Sequence, residues 1–286
     1  MNNTCGRQRL LNRGLLGAGW LLLIGMPLAA SARDDLATFP APPTAVTQGD
    51  LVRLCCYPDA QVKLGGQLLT VSPSGHLVFG VAREETGPLS LHVRAGDGTL
   101  RTYSLEVRKR QWPTERVDGV PPATVKPPPA IAQRIAREQA RVAAARKRND
   151  QREDFRQDFQ WPVRGRLSGL FGSQRLYNGQ PGSAHSGMDI AAETGTSVLA
   201  PAAGVVSFAD ADLYLTGGTL VLDHGHGVSS VFLHLSRLDV EVGQRIEQGQ
   251  RLGAVGATGR ASGPHLHWGL NWFDTRLDPR SVLPSD

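Results

Sequence analysis

Apolar and polar residues alternate along much of the chain in short runs bounded by turn residues. Val62 and Leu64 alternate before Gly65-Gly66; Leu77 and Phe79 follow a Ser-Pro-Ser-Gly turn at 72–75. Leu89, Leu91 and Val93 then alternate up to Asp97-Gly98, and Tyr103, Leu105 and Val107 alternate beyond it. Period-2 patterning with turns this closely spaced predicts a small β-sandwich-like domain over residues 33–112. From Trp161 the pattern is again β-rich, with glycine-punctuated strands at Val205-Val206, Thr219–Leu222, Val228–Leu235 and Arg251–Val255. Strands do not alternate with helices of 10–15 residues, which excludes a doubly wound parallel α/β fold. The predicted fold class is therefore mainly β, with an antiparallel β-rich C-terminal domain over 161–286.

Residues 113–160 break this pattern. Pro121-Pro122 and Pro127-Pro128-Pro129 predict a stiff extended stretch. Helix-forming composition follows from Ala130 to about Asp158, where Ile131, Ile135 and Val142 are too sparse for a broad buried stripe. Seven basic and two acidic residues lie between Ala130 and Arg152. A solvated helix accounts for this, and so does contact with an anionic envelope surface.

The first 32 residues read as a signal for export. Arg7, Arg9 and Arg13 precede an apolar run from Leu15 to about Ala30, and Ala30-Ser31-Ala32 supplies small residues at the cleavage position. A retained anchor fits less well, because the run contains Pro27 and barely approaches the ~18 apolar residues of a spanning helix. Cleavage would remove three positive charges and no negative ones from a formal net charge of +5, so the basicity is largely the export signal. A nucleic-acid partner thereby loses its main support. Of three cysteines, Cys55 and Cys56 would remain. Being adjacent, they read as one thiol packed in a strand and one facing outward, with pairing between chains left open. The 33 glycines and 19 prolines agree with a turn-rich β fold and a stiff connector.

Six of the eight histidines lie between His185 and His267. In a strand, His265 and His267 project to one face while Leu266 and Trp268 point to the other. His185 and Asp189 are four residues apart around Gly187. Neutral imidazoles and a carboxylate suit Zn²⁺, and three protein ligands leave a position for water. His224 and His226 sit in Asp223-His-Gly-His-Gly227, a hairpin turn, where Asp223 supports the turn. His76 and His92 read as surface residues, and Asp210 and Asp212 as solvated loop acids. Ser262 has no evident base partner and is not a credible nucleophile.

His-x-x-x-Asp followed far downstream by His-x-His resembles the lysostaphin-like (LytM-type) zinc metallopeptidases, which cut peptide cross-links in peptidoglycan. The resemblance spans roughly Trp161 to Pro284, through Phe171-Gly172, Thr194-Gly195, Ala200-Pro201, Leu233-His234-Leu235-Ser236 and Gly256–Trp268. Trp112 through the Pro-rich stretch is similar, less specifically, to the N-terminal region of proteobacterial envelope members of that family. The resemblance implies one Zn²⁺ per chain, held by His185, Asp189 and His267, with His234 and His265 as the catalytic pair. Which of the two is the general base stays open. It further implies a periplasmic enzyme with peptidoglycan as its substrate and an envelope protein as a regulatory partner. Some members of the family have lost zinc ligands and activate cell-wall amidases instead; here all five positions are filled.

Overall fold

The computed structural model describes residues 39–120 and 122–284; the export-signal reading of residues 1–32 falls outside them. Eight strands precede the helical connector: β1 (Ala45–Thr47), β2 (Leu51–Leu54), β3 (Gln61–Leu64), β4 (Gln67–Leu69), β5 (Leu77–Gly80), β6 (Leu89–Arg94), β7 (Leu100–Arg108) and β8 (Thr114–Val117). Five form one sheet in the order β1-β7-β6-β3-β4, and β2 pairs with β5. The alternation read from sequence gives the register. Val62 opposes Val93 and Leu91 opposes Tyr103, and Val62, Leu91, Val93 and Leu105 are buried. Leu54 ends β2, so Cys55 and Cys56 both lie outside a strand and both are exposed. This corrects the expectation of one packed thiol. Cys56 has φ 71, a left-handed turn that breaks the strand alternation and brings the two sulfurs 2.7 Å apart.

The connector contains a helical turn, α1 (Pro122–Val125), and one longer helix, α2 (Pro129–Ala145). Helix α2 ends well before Asp158, and the chain beyond it is pinned by charge. Arg148 and Arg152 both pair with Asp223 at the base of the following hairpin, and Arg152 also reaches Asp150 and Asp154. Phe155 and Phe159 are fully buried there, against His226 and His224. The helix itself is docked along one flank. Val142 and Ala145 meet Phe208, Leu213, Val221, Val231 and Leu233, while Arg134 pairs with Asp212 and Arg141 with Asp210. Both aspartates lie on a strand and not in the loop expected of them, while Asp212 is solvated as expected.

The C-terminal part adds β9 (Arg166–Gly169), β10 (Gln174–Tyr177), β11 (Gln180–Ala184), β12 (Met188–Ala191), β13 (Ser197–Leu199), β14 (Gly204–Leu213) and β15 (Gly217–Asp223). It continues with β16 (Val228–Leu235), β17 (Arg237–Leu238), β18 (Arg245–Ile246), β19 (Arg251–Ala254), β20 (His265–Trp272) and β21 (Thr275–Leu277). The main sheet runs β18-β14-β15-β16-β20-β12-β9 with antiparallel neighbours, and β21 pairs with β20. Strands β13, β19 and β17 form a smaller sheet, and β8 pairs in parallel with β10, which also pairs with β11. Met188, Ile190, Phe232, Leu266, Trp268 and Leu270 fill the core beneath the main sheet. The upstream strands are tied to this part directly. Asp278 donates its backbone N–H to the Gly49 carbonyl and receives Arg110 on its side chain, each at 2.8 Å. Among the described residues no helix is long and apolar enough to cross a membrane.

A buried polar chain runs under the histidine strand. Trp268 Nε1 donates to Ser230 Oγ, Ser230 is 2.9 Å from His224 Nε2, and His224 Nδ1 donates to the Ala203 carbonyl at 2.7 Å. Burial pushes His224 down from 6.5 to about 4, so the folded protein holds it neutral. Its contribution to stability is complete above pH 6.5 and is lost as pH falls toward 4, where the unfolded chain takes up a proton and the folded one does not. The loss amounts to about 3 kcal/mol over that window. Urea unfolding of the metal-free protein at pH 7 and pH 4 should show a His224→Gln variant with a correspondingly flatter pH dependence. Equal pH slopes for the two proteins would refute this.

Candidate metal and catalytic site

Strand register assembles the site. In the antiparallel β12–β20 pair Asp189 stands opposite His267, and in β16–β20 Leu233 stands opposite His267 on its other side. His185 enters from the turn between β11 and β12, its backbone N–H donating to the Ser173 carbonyl at 2.8 Å. Gly187 lets this turn press onto β20: a Cβ there would lie 2.3 Å from the Trp268 carbonyl oxygen and 2.8 Å from His267 Nε2. His185 Nε2 therefore sits 3.1 Å from Asp189 Oδ1 and 3.0 Å from His267 Nδ1, with His267 Nδ1 2.9 Å from the same carboxylate oxygen. All three residues are buried and make up the group able to hold a metal ion among the described residues.

The proton inventory supports a cation at their centre. His185 Nδ1 donates to the Leu170 carbonyl at 3.0 Å, so Nε2 is the nitrogen left to offer a lone pair, and it faces a carboxylate oxygen. Two acceptors at that separation repel unless a positive centre lies between them. The 2.9–3.1 Å separations are close to the edge of about 3.3 Å set by ~2.0–2.1 Å bonds in a tetrahedral site. Two imidazole nitrogens and one carboxylate oxygen form a donor set suited to zinc. Burial pushes His267 down to about 4, leaving it neutral and free to ligate at neutral pH. Burial alone would raise Asp189, but the interactions of its carboxylate with the His185 and His267 rings outweigh it and hold the carboxyl far below the usual carboxylate range.

The other two histidines flank this group. The His265 ring is anchored by Nδ1 to the Gly263 carbonyl at 2.8 Å and brings Nε2 to 3.8 Å from Asp189 Oδ1. His234 Nδ1 is likewise anchored to the Thr258 carbonyl at 2.8 Å. Its ring lies 4.8 Å from His265 and 6.4 Å from His267, centroid to centroid. Strict alternation from Leu233 would have sent His234 to the opposite face. A register shift in β15–β16 and a left-handed backbone at His234 (φ 65), tied by its N–H to the Thr216 carbonyl, turn it to the site. Burial, then the neighbouring His267 and His265 charges, push His234 down to about 3. Both rings thus commit Nδ1 to a backbone carbonyl. By contrast, His224 and His226 belong to the β15–β16 turn, where Asp223 Oδ1 accepts from the Gly225 N–H.

Two charged residues complete the site without any motif to mark them. Arg175 of β10 donates to Asp189 Oδ2, the carboxylate oxygen turned away from the histidines. Glu115 of β8 lies 3.5 Å from Arg175 Nε and accepts hydrogen bonds from Ser173 Oγ and the Leu170 N–H. Gly169 makes room for the pair, since a Cβ there would stand 2.5 Å from Asp189 Oδ2 and 2.8 Å from Arg175 Nη2. A partner on the outer oxygen of a ligating carboxylate orients it, and its loss typically weakens metal binding by about 10–100-fold. Arg175→Met should raise the metal dissociation constant by that factor, with Glu115→Gln in between, when titrated by calorimetry. Unchanged affinity in a folded Arg175→Met protein would rule out this role.

Residues 183–279 match the model of peptidase family M23. A crystal structure of a Pseudomonas aeruginosa protein assigned as an M23 peptidase superposes with a TM-score of 0.63 at 32% identity, covering 87% of this chain and 96% of that one. The peptidoglycan DD-endopeptidase ShyA of Vibrio cholerae is 40% identical over 106 residues, which are 37% of this chain and 24% of ShyA. The cell division protein DipM of Caulobacter vibrioides is 33% identical over 132 residues, 44% of this chain and 21% of DipM. The chain thus spans about a quarter or less of the length of these two curated relatives, but nearly the whole of the Pseudomonas protein. With the His185–Asp189–His267 group lying inside the matched segment, the chain belongs to peptidase family M23.

Proposed function

We propose that the protein is an exported, zinc-dependent endopeptidase that hydrolyses amide bonds in the stem peptides or cross-links of peptidoglycan. The carrying observation is the convergence of His185 Nε2, Asp189 Oδ1 and His267 Nδ1 within 3.1 Å of one another, with two further imidazoles alongside. The names of ShyA and related DD-endopeptidases support the substrate class, and the arginine-led apolar segment at the N-terminus supports export to the periplasm. In this reading residues 161–286 are the peptidase domain, 33–112 a binding or spacing module and 113–160 the connector.

Zinc held by His185, Asp189 and His267 would polarise the scissile carbonyl and lower the pKa of a bound water. The chain's own residues do the rest. Arg175 keeps Asp189 Oδ1 turned inward by holding Oδ2. His234 and His265 each have Nδ1 fixed by a carbonyl, of Thr258 and Gly263, and His265 brings Nε2 to 3.8 Å from Asp189 Oδ1. One Nε2 takes the proton of the attacking water. The imidazolium so formed delivers that proton to the leaving amine, directly or through the second ring, whose Nε2 accepts it and passes it on. Burial keeps His234 neutral beforehand and so able to accept a proton.

Purified protein incubated with sacculi should release muropeptides whose masses identify the bond cut, and a chelator should stop the release. His185→Ala or His267→Ala should remove both stoichiometric metal and cleavage. His265→Ala should retain the metal and lose about 10²–10⁴-fold in rate. A metal-free His267→Ala protein that still digests sacculi would overturn the proposal.

A further inference from the structure

The face that carries the metal group continues along β20 from His267 to Asn271, which pairs with Arg276 of β21. Beside His185 lies a cavity of about 280 Å³, lined by Phe171, Ser186, Asp274 and Arg276 and by Arg83 and Glu84 of the upstream β part. The volume suits one or two residues of a peptide.

Two arginines, Arg83 and Arg276, and two carboxylates, Glu84 and Asp274, line this cavity, and Arg146 behind Arg276 adds a further positive charge. Arg83 is engaged by the Gly172 carbonyl and by Glu84, and Arg175 by Asp189. Arg276 has a neutral partner, Asn271 Oδ1 at 2.5 Å, and no carboxylate within ion-pairing distance among the described residues. Next to it Arg146, more than nine-tenths buried, reaches Asp274 Oδ1 only at 3.6 Å, and its Nε has no partner among the described residues. Asp274 itself is 67% exposed. Buried Arg146 and half-buried Arg276 thus have one solvated carboxylate, Asp274, near them. Burial, and then the charge of Arg146, pushes Arg276 down to about 10. An uncompensated buried cation is expensive to keep, and at the edge of a site it marks a place for an anion. The planar guanidinium fork selects a carboxylate, which it can hold through two parallel hydrogen bonds.

We propose that this cavity is a carboxylate-binding subsite in which Arg276, backed by Arg146, receives a free carboxylate of the peptide substrate beside His185. The assignment rests on the peptidase reading above and narrows its substrate to acidic peptides. Peptides whose carboxylates are blocked as amides would leave Arg276 facing a second donor.

The test uses dimeric muropeptides and the same muropeptides after conversion of their carboxyl groups to amides. Calorimetry on the metal-free protein reads binding without turnover. The acidic form should bind at least about tenfold more tightly than the amide form. Arg276→Gln should abolish that preference with its melting temperature retained, and Arg276→Lys should keep part of it. Equal binding of the two forms to the wild-type protein, no binding of either, or a preference that survives Arg276→Gln would overturn the subsite. Cleavage by the metal-loaded protein is scored separately. Preferential binding without cleavage would remove the peptidase reading and leave the subsite standing.

Discussion

The Asp189 carboxylate is a buried negative charge, and much of the surrounding architecture makes it tolerable. One oxygen faces two imidazoles and the other faces Arg175, so each side of the carboxylate has its own partners. Such a group is stable only if both sets are held in place, because an unpaired buried charge costs several kcal/mol. Gly169 and Gly187 leave the space through which Arg175 and the His185 turn approach. The β12–β20 register then sets His267 opposite Asp189, and a one-residue slip would turn the histidine to the other face.

This constraint reaches beyond the segment that matches the family. Glu115, which steadies Arg175, comes from a strand preceding the connector helix and lying in parallel beside β10. Arg83 of the upstream β part lines the cavity next to His185, and Arg146 at the end of α2 abuts Arg276. Helix α2 lies over the sheet face that also carries His267, since Val142, Ala145 and Leu233 pack against one cluster that includes Val231, and Val231 and Leu233 pair with Gly269 and His267. The upstream parts therefore form walls of the site as well as spacing.

The basic composition of α2 and the acidic pair Asp210 and Asp212 show what composition leaves out when read one element at a time. Helix α2 has no buried residue and Asp212 is exposed, as composition implies, yet Arg134 and Arg141 also meet those aspartates across the helix–strand contact. Cys55 and Cys56 make the same point for the backbone. Alternation separates neighbouring side chains only while φ stays in the extended region, and the left-handed φ at Cys56 cancels it.

Much of the site was legible in the chain. Period-2 alternation carried the strands of both β parts, and the placement of His265 and His267 on one face followed from the same period. The types and spacing of His185, Asp189 and His267 were enough to suggest a metal group, because few other arrangements make use of two same-face imidazoles and a nearby carboxylate. Tertiary structure decided the remainder. His234 reaches the site against the alternation, through a bulge whose φ no composition announces. Arg175, Glu115, Arg146 and Arg276 are ordinary surface residues by type, and their roles come from burial and charge partners distant in sequence. Local periodicity is a property of neighbours along the chain, whereas charge compensation is a property of neighbours in space.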